Sequence, residues 1–148
     1  MALRRPTKLE WAVIGAILAN LVALLIPSTP AVWDGEFSLT ISVTESKPID
    51  RDSLLFATCW SEDEVRDALG KPGVYEWGFH PPKLTDDGRA IIDVPVFGRT
   101  TTWSDTYNQP QFLVAEYHVA NDTSHLPARK RFDIPTGRGP RSMAILLP

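Results

Sequence analysis

The stretch Phe37-Ser38-Leu39-Thr40-Ile41-Ser42-Val43 (residues 37–43) alternates apolar and polar side chains without interruption. Because successive side chains of a β-strand point to opposite faces of its sheet, this pattern predicts a strand with one buried and one solvated face. The segment from Ser53 to Trp60 is almost wholly apolar, which predicts a strand covered on both faces. These two segments indicate a β-rich domain.

The rest of the domain repeats this kind of pattern. A Ser61…Glu64 capping box predicts one short helix over Glu62–Leu69. Asp86-Asp87-Gly88 has the composition of a turn. Further strand-like segments lie at 74–79, 89–96, 111–119, 130–134 and 142–147. About six or seven short strands with one helix predict an antiparallel β-sandwich over residues 37–148.

One short segment supports the sandwich by resemblance. Thr85-Asp86-Asp87-Gly88-Arg89, followed by Ile92-Asp93-Val94-Pro95, resembles the turn and strand of transthyretin-like (carboxypeptidase regulatory-like) modules. The resemblance implies an Ig-like or transthyretin-like sandwich. Such modules are mostly non-catalytic, but a fold by itself assigns no function.

An apolar run from Trp11 to Ile26 precedes this domain. A helix from Leu9 to Ile26 would be about 27 Å long, close to the hydrocarbon thickness of a bilayer. We therefore predict a transmembrane helix over residues 9–27, retained as a signal anchor. A cleaved secretory signal peptide and a buried core helix are the alternatives.

Charge around the run sets the predicted topology. Arg4, Arg5 and Lys8 precede it, which places residues 1–8 in the cytoplasm by the positive-inside rule. Residues 28–36 are then a short linker, and the domain at 37–148 is extracytoplasmic. The protein is thus expected in a membrane, with its N-terminus inside.

Two features of the run suggest association. Gly15, Ala19 and Ala23 recur every fourth residue beside Asn20, so these four residues are candidate helix–helix contacts for self-association or for another membrane protein.

The N-terminal segment also resembles that of type IV pilin-like proteins, through Thr7, Leu9, Glu10 and the run ending at Pro27. That resemblance implies a subunit of a secretion or filament system, although Arg5 and Pro6 replace the family's cleavage residues.

Composition excludes several classes of function. The chain has 15 basic and 18 acidic residues, a balance that argues against nucleic-acid binding.

Cys59 is the single cysteine, so an intrachain disulfide is excluded, and its apolar neighbours predict a buried, inert thiol. His80, His118 and His125 lack metal-ligand spacing, and we expect neither a metal nor another cofactor. Nucleophile motifs are also missing.

Partner contacts are predicted at two places. Trp103 and Tyr107 lie in a polar loop over residues 98–110, where aromatic side chains often anchor interfaces, and Trp77 is a weaker candidate. Arg129, Lys130 and Arg131 concentrate positive charge that could dock an acidic partner, or could protect an exposed edge strand.

These observations predict a membrane-anchored, extracytoplasmic interaction or assembly module that is not an enzyme. A minor pilin-like subunit is the first alternative. A secreted or anchored hydrolase is the second, and it would require histidines or Cys59 to converge with carboxylates.

Overall fold

The computed structural model describes residues 7–25, 30–70, 78–101, 103–122, 126–137 and 141–148. The described residues are mainly β, which confirms the predicted β-rich class. Its elements follow in the order α1 (Lys8–Leu25), β1 (Ala31–Glu45), β2 (Ile49–Cys59), α2 (Glu62–Leu69), β3 (Lys83–Leu84), β4 (Ala90–Thr100), β5 (Asp105–Asn108), β6 (Phe112–Val119), β7 (Ala128–Asp133) and β8 (Arg141–Leu147).

The first sheet, sheet A, has the order β3-β4-β1-β8, and β5 pairs with β4. The alternating strand predicted at residues 37–43 is part of β1, which lies in the middle of this sheet. β1 pairs antiparallel with β4, from Ala31 opposite Thr100 to Ile41 opposite Ala90. Its C-terminal half also pairs with β8, from Leu39 to Glu45.

The second sheet, sheet B, has the antiparallel order β2-β6-β7. His80 forms an isolated bridge to Phe56 of β2, with both backbone hydrogen bonds at 2.9 Å. The edge of sheet B at β2 is thereby extended by one residue.

Two apolar clusters place sheet B between sheet A and α2. Leu39 and Val94 of sheet A share one cluster with Leu113 and Tyr117 of sheet B. The second cluster joins Cys59, Phe112 and Val114 of sheet B to Val65 and Ala68 of α2. Its members on β2 face away from sheet A, so the prediction of a doubly covered strand after Ser53 is confirmed.

Helix α2 occupies the predicted residues, Glu62–Leu69. The Ser61 hydroxyl accepts a hydrogen bond from the backbone N–H of Glu64 at 3.3 Å. The Glu64 carboxylate accepts one from the backbone N–H of Trp60 at 2.8 Å. The helix therefore begins where the capping pattern predicts, because its first donors are satisfied locally.

The prediction of a wholly antiparallel sandwich is wrong. β8 runs parallel to β1, so sheet A is mixed, and both sheets are open. Local alternation could not reveal this, since strand direction depends on the route of the chain. After β7 the chain returns from sheet B to sheet A. There β8 pairs with the side of β1 opposite β4 and runs in the same direction as β1.

Two segments expected to be irregular contain strands. β1 begins at Ala31, inside the predicted linker 28–36, and β4 and β5 occupy much of the predicted loop 98–110. Residues 31–38 of β1, 93–100 of β4 and β5 form a three-stranded extension that we call the arm. Most of the predicted strand 74–79, and Trp77 with it, lies outside the described residues.

The predicted transmembrane helix over residues 9–27 is wrong. Helix α1 exists, but in the part of the chain that the structure describes, no helix combines the length and the apolar character that crossing a membrane requires. Lys8 and Glu10 occupy its first turn, and the uncharged remainder to Leu25 extends only about 22 Å, against about 30 Å of hydrocarbon. The localisation derived from the span, an inside N-terminus at 1–8 and an extracytoplasmic domain at 37–148, is overturned by the same finding.

Candidate functional site

Helix α1 presents an apolar surface to solvent. Every described residue from Lys8 to Ala23 is exposed. The large apolar members expose between 40% and 75% of their surface and comprise Leu9, Trp11, Val13, Ile14, Ile17, Leu18, Leu21 and Val22. Exposed apolar surfaces of this kind are typical of interaction sites in folded proteins.

The four predicted helix–helix contacts all lie on this exposed helix. Gly15, Ala19 and Ala23 are one helical turn apart on one side. Asn20 donates from Nδ2 to the carbonyl oxygen of Ala16 at 2.8 Å, so its amide is bonded within the helix. The small side chains leave room for a second helix, and the structure shows open space around Gly15.

Glu10 has a structural role at the start of α1. Its Oε2 accepts a hydrogen bond from the backbone N–H of Thr7 at 2.6 Å, and the Thr7 hydroxyl accepts one from the Glu10 N–H at 3.3 Å. This reciprocal pair is a capping box. The glutamate that underlies the resemblance to pilin-like proteins therefore caps its own helix.

The arm and the turn between β4 and β5 carry two of the aromatic residues predicted to contact a partner, Trp103 and Tyr107. Tyr107 on β5 lies opposite Gly98, which lies opposite Trp33, and the Trp33 and Tyr107 ring centroids are 6.1 Å apart. Trp103 is at the turn between β4 and β5 and is 71% exposed. The structure thus separates the two residues: Tyr107 packs inside the arm, whereas Trp103 projects from its end.

Tyr107 is also joined to β8 through Arg141. Nη2 of Arg141 donates to the Tyr107 hydroxyl at 3.2 Å, and Nη1 donates to the Pro135 carbonyl at 2.7 Å and to the Gln109 side chain. The guanidinium carbon lies 4.2 Å from the Phe37 ring centroid. These contacts tie the base of the arm to the end of sheet A.

Arg129 of β7 is buried by its partners. Its side chain is 6% exposed, and Nε donates to Oε2 of Glu116 at 2.6 Å. Nη1 donates to the carbonyl oxygens of Ala68 and Gly70 at 2.9 and 3.3 Å, at the end of α2. The guanidinium also lies 4.9 Å from the Phe79 ring centroid. The Arg129 guanidinium thus links the end of α2 to sheet B.

Lys130 and Arg131 lie on the same edge strand, and Arg131 is more exposed than Arg129. Lys130 Nζ donates to the Leu146 carbonyl at 2.8 Å. Arg131, which is 36% exposed, pairs with Glu62 at 2.7 Å and with Asp133 at 3.4 Å. β7 is an outer strand of sheet B, so these cations occupy the edge position that the alternative interpretation assigned to them.

A groove that the sequence did not reveal lies beside β4. Its volume is about 620 Å³, and it separates the outer side of β4 from the edge of sheet B at His80. Residues that line it include Glu36, Phe56, Trp60, Glu64, Lys83 and Pro95. We call this the β4 groove. These residues come from distant parts of the chain, and no local motif joins them.

Carboxylates predominate among the charged groups of the β4 groove. Asp93 is paired with Lys83 at 3.2 Å and accepts a hydrogen bond from the Ser38 hydroxyl at 3.1 Å. The hydrogen bond from Lys83, followed by that from Ser38, holds the pKa of Asp93 below its usual value. Glu36 is exposed, and its carboxylate has no partner among the described residues.

Metal-ligating groups do not gather in the described ranges. The prediction that Cys59 is a buried thiol is confirmed, and burial, followed by the charge of Glu64, raises its pKa to about 11. Three or more His, Cys, Asp or Glu side chains able to hold a metal ion are not found together in those ranges. His80 borders the β4 groove, His118 lies on β6, and His125 is outside the described residues.

The fold and these surfaces define a three-layer β-rich domain with an exposed apolar helix. No family model matches the chain, and no curated protein or solved structure matches it either.

Proposed function

We propose that this protein is a non-catalytic assembly module that self-associates through helix α1. The observation that carries the proposal is the exposure of every large apolar side chain described on α1. An apolar helix in water gains stability when its surface is buried, at roughly 25 cal/mol per Å². Association supplies that burial in a protein whose sheets and α2 are already packed.

A second copy is the occupant that the surface favours. At 100° per residue, the large apolar side chains cover more than half of the circumference of α1, and the small side chains of Gly15, Ala19 and Ala23 lie on the remaining side. These eight side chains are between 40% and 75% exposed, and burying the part that faces a partner stabilises the complex in proportion to the apolar area covered. An identical helix supplies the same apolar surface in return, as a two-fold interface requires.

Small residues on α1 support close packing of the two helices. Gly15, Ala19 and Ala23 lie on one side of the helix. Ridges of large side chains such as Leu18 and Leu21 can therefore enter the grooves beside these small residues. The pilin-like resemblance also implied assembly through this segment, but the capping box accounts for Glu10 within a single chain.

The test compares association of the full chain with that of two matched variants. Leu18 on α1 is 55% exposed and Leu84 on β3 is 50% exposed, so Leu18→Glu and Leu84→Glu add the same charge at similarly open sites. In sedimentation velocity experiments, we expect Leu18→Glu to raise the dissociation constant at least about tenfold, because a charge would enter the interface. Leu84→Glu should associate like the unmodified chain.

A chain that stays monomeric at high concentration would refute self-association. Equal effects of the two substitutions would show that α1 is not the contact surface.

A further inference from the structure

Among the described residues, the outer side of β4 is unpaired along its middle. β3 pairs with Ile91 and Ala90, and β5 pairs with residues 97–100, but no described strand pairs with residues 92–96 on that side. An open strand edge offers backbone donors and acceptors to an added strand. This gap is the stretch of β4 that borders the β4 groove.

Hydrogen bonds at the two ends of β4 show which of its backbone groups point to the outer side. Arg89 accepts from the N–H of Thr85, and Arg99 accepts from the Thr106 hydroxyl, so both carbonyls face the outer side. Backbone groups of alternate strand residues face the same side. Asp93 therefore presents its N–H and C=O to the gap, and Pro95 presents its C=O. Proline suits such an edge because it has no donor to leave unpaired.

Aromatic rings lie at one end of the gap. The Trp60 and Phe97 ring centroids are 5.0 Å apart, and Phe97 is 46% exposed. Glu36, opposite Pro95 on the neighbouring strand, adds a carboxylate without a described partner. Rings beside such a carboxylate suit a guanidinium or ammonium group, which is attracted to both.

We propose that the β4 groove binds an extended peptide segment carrying arginine or lysine, which adds as a strand to residues 92–96. The backbone of the segment pairs with Asp93 and Pro95, and its cationic side chain lies beside Trp60 and Glu36. Charge complementarity selects this occupant, since among the described lining residues Glu36, Glu64 and Asp93 face the groove against the ammonium of Lys83. This proposal is independent of self-association through α1.

The test uses two capped octapeptides, one alternating valine with arginine and the other alternating valine with glutamine. Binding to the full chain is measured by calorimetry, and exchange of the Asp93 amide is measured by NMR. We expect saturable binding of the arginine peptide with a dissociation constant below about 1 mM, and weaker binding of the glutamine peptide. The Asp93 amide should exchange more slowly in the complex, because it donates to the added strand.

A pair of variants separates groove binding from general attraction. Glu36→Gln should weaken the arginine peptide about fivefold, the size expected for one exposed ion pair. Asp86→Asn removes the same charge in the turn before β4, outside the groove lining, and should leave binding unchanged.

Three results with the peptides would overturn the proposal. These are equal affinity for both peptides, equal effects of the two substitutions, and binding without protection of the Asp93 amide. Protection of that amide without peptide, increasing with protein concentration, would instead identify a second copy as the occupant and would also overturn it.

Discussion

At the scale of the residue, Arg129 and Arg131 show how similar sequence positions acquire different roles. They are two residues apart on β7 and were both predicted to contact a partner. The Arg129 side chain is 6% exposed and bonds Glu116 and the end of α2, whereas Arg131 is 36% exposed and pairs with the exposed Glu62. Sequence identifies both cations, but their burial depends on the position of α2 over sheet B.

We predict that Arg129→Met destabilises the protein by about 3–5 kcal/mol, because it leaves Glu116 and the last carbonyls of α2 without their donor. Arg131→Met is the matched control and should cost only about 1 kcal/mol, the value of an exposed ion pair. Urea unfolding followed by tryptophan fluorescence measures both free energies. Equal losses in the two variants would mean that the contacts of Arg129 contribute no more than a surface pair.

At the scale of the element, the arm depends on close approach between a glycine and a tryptophan. A Cβ atom at Gly98 would overlap the Trp33 ring and lie 2.6 Å from the carbonyl oxygen of Thr106. Trp33 also donates from Nε1 to the Thr100 hydroxyl at 3.2 Å, which fixes the ring over the glycine. The three strands of the arm therefore share one packing site.

We predict that Gly98→Ala destabilises the arm by about 1–3 kcal/mol, because the Trp33 ring must move from a well-packed position. Gly35→Ala is the control on the neighbouring strand, where the added Cβ meets Val96 at an ordinary 3.8 Å. That change should be neutral or stabilising by up to about 1 kcal/mol, since alanine restricts the unfolded chain. Hydrogen exchange of the β5 amides and urea unfolding measure the effects, and a harmless Gly98→Ala would contradict this account of the arm.

Strand existence was easier to predict than strand extent. The alternation at 37–43 and the apolar segment after Ser53 located β1 and β2, because burial on one or both faces leaves a local pattern. Residues 31–36 and 105–108 have exposed or partly exposed side chains, so pairing in the arm leaves no such pattern. These segments become strands because each pairs with β4.

At the scale of the whole molecule, the reactivity of the Cys59 thiol measures how often the layer between sheet B and α2 opens. It lies in the cluster between sheet B and α2, is fully buried, and has a pKa raised to about 11. A thiol with this pKa is about one part in a thousand thiolate at pH 8, and burial also blocks access of the reagent. Reaction of the thiol therefore requires the structure to open.

We predict that Cys59 of the folded chain reacts with a disulfide reagent at pH 8 far more slowly than in guanidinium chloride. Arg129→Met should speed labelling by the factor by which its loss of stability raises the population of the open form. Ser42→Cys, at an exposed position of β1, supplies a control thiol that should react at once. Equal rates for the two thiols in the folded protein would show that the layer between sheet B and α2 is not closed.

The sequence by itself determined the β-rich class, both helices, the Asp86–Gly88 turn and the burial of Cys59. Each of these depends on neighbours within a few residues, through side-chain alternation, capping or local apolarity. Tertiary structure alone decided that β8 runs parallel to β1, that the arm extends from sheet A, that Arg129 is buried, and that the β4 groove exists. Those features arise where segments far apart in the chain pack or pair with each other. The free energy of such tertiary contacts depends on both segments, so neither segment alone predicts them.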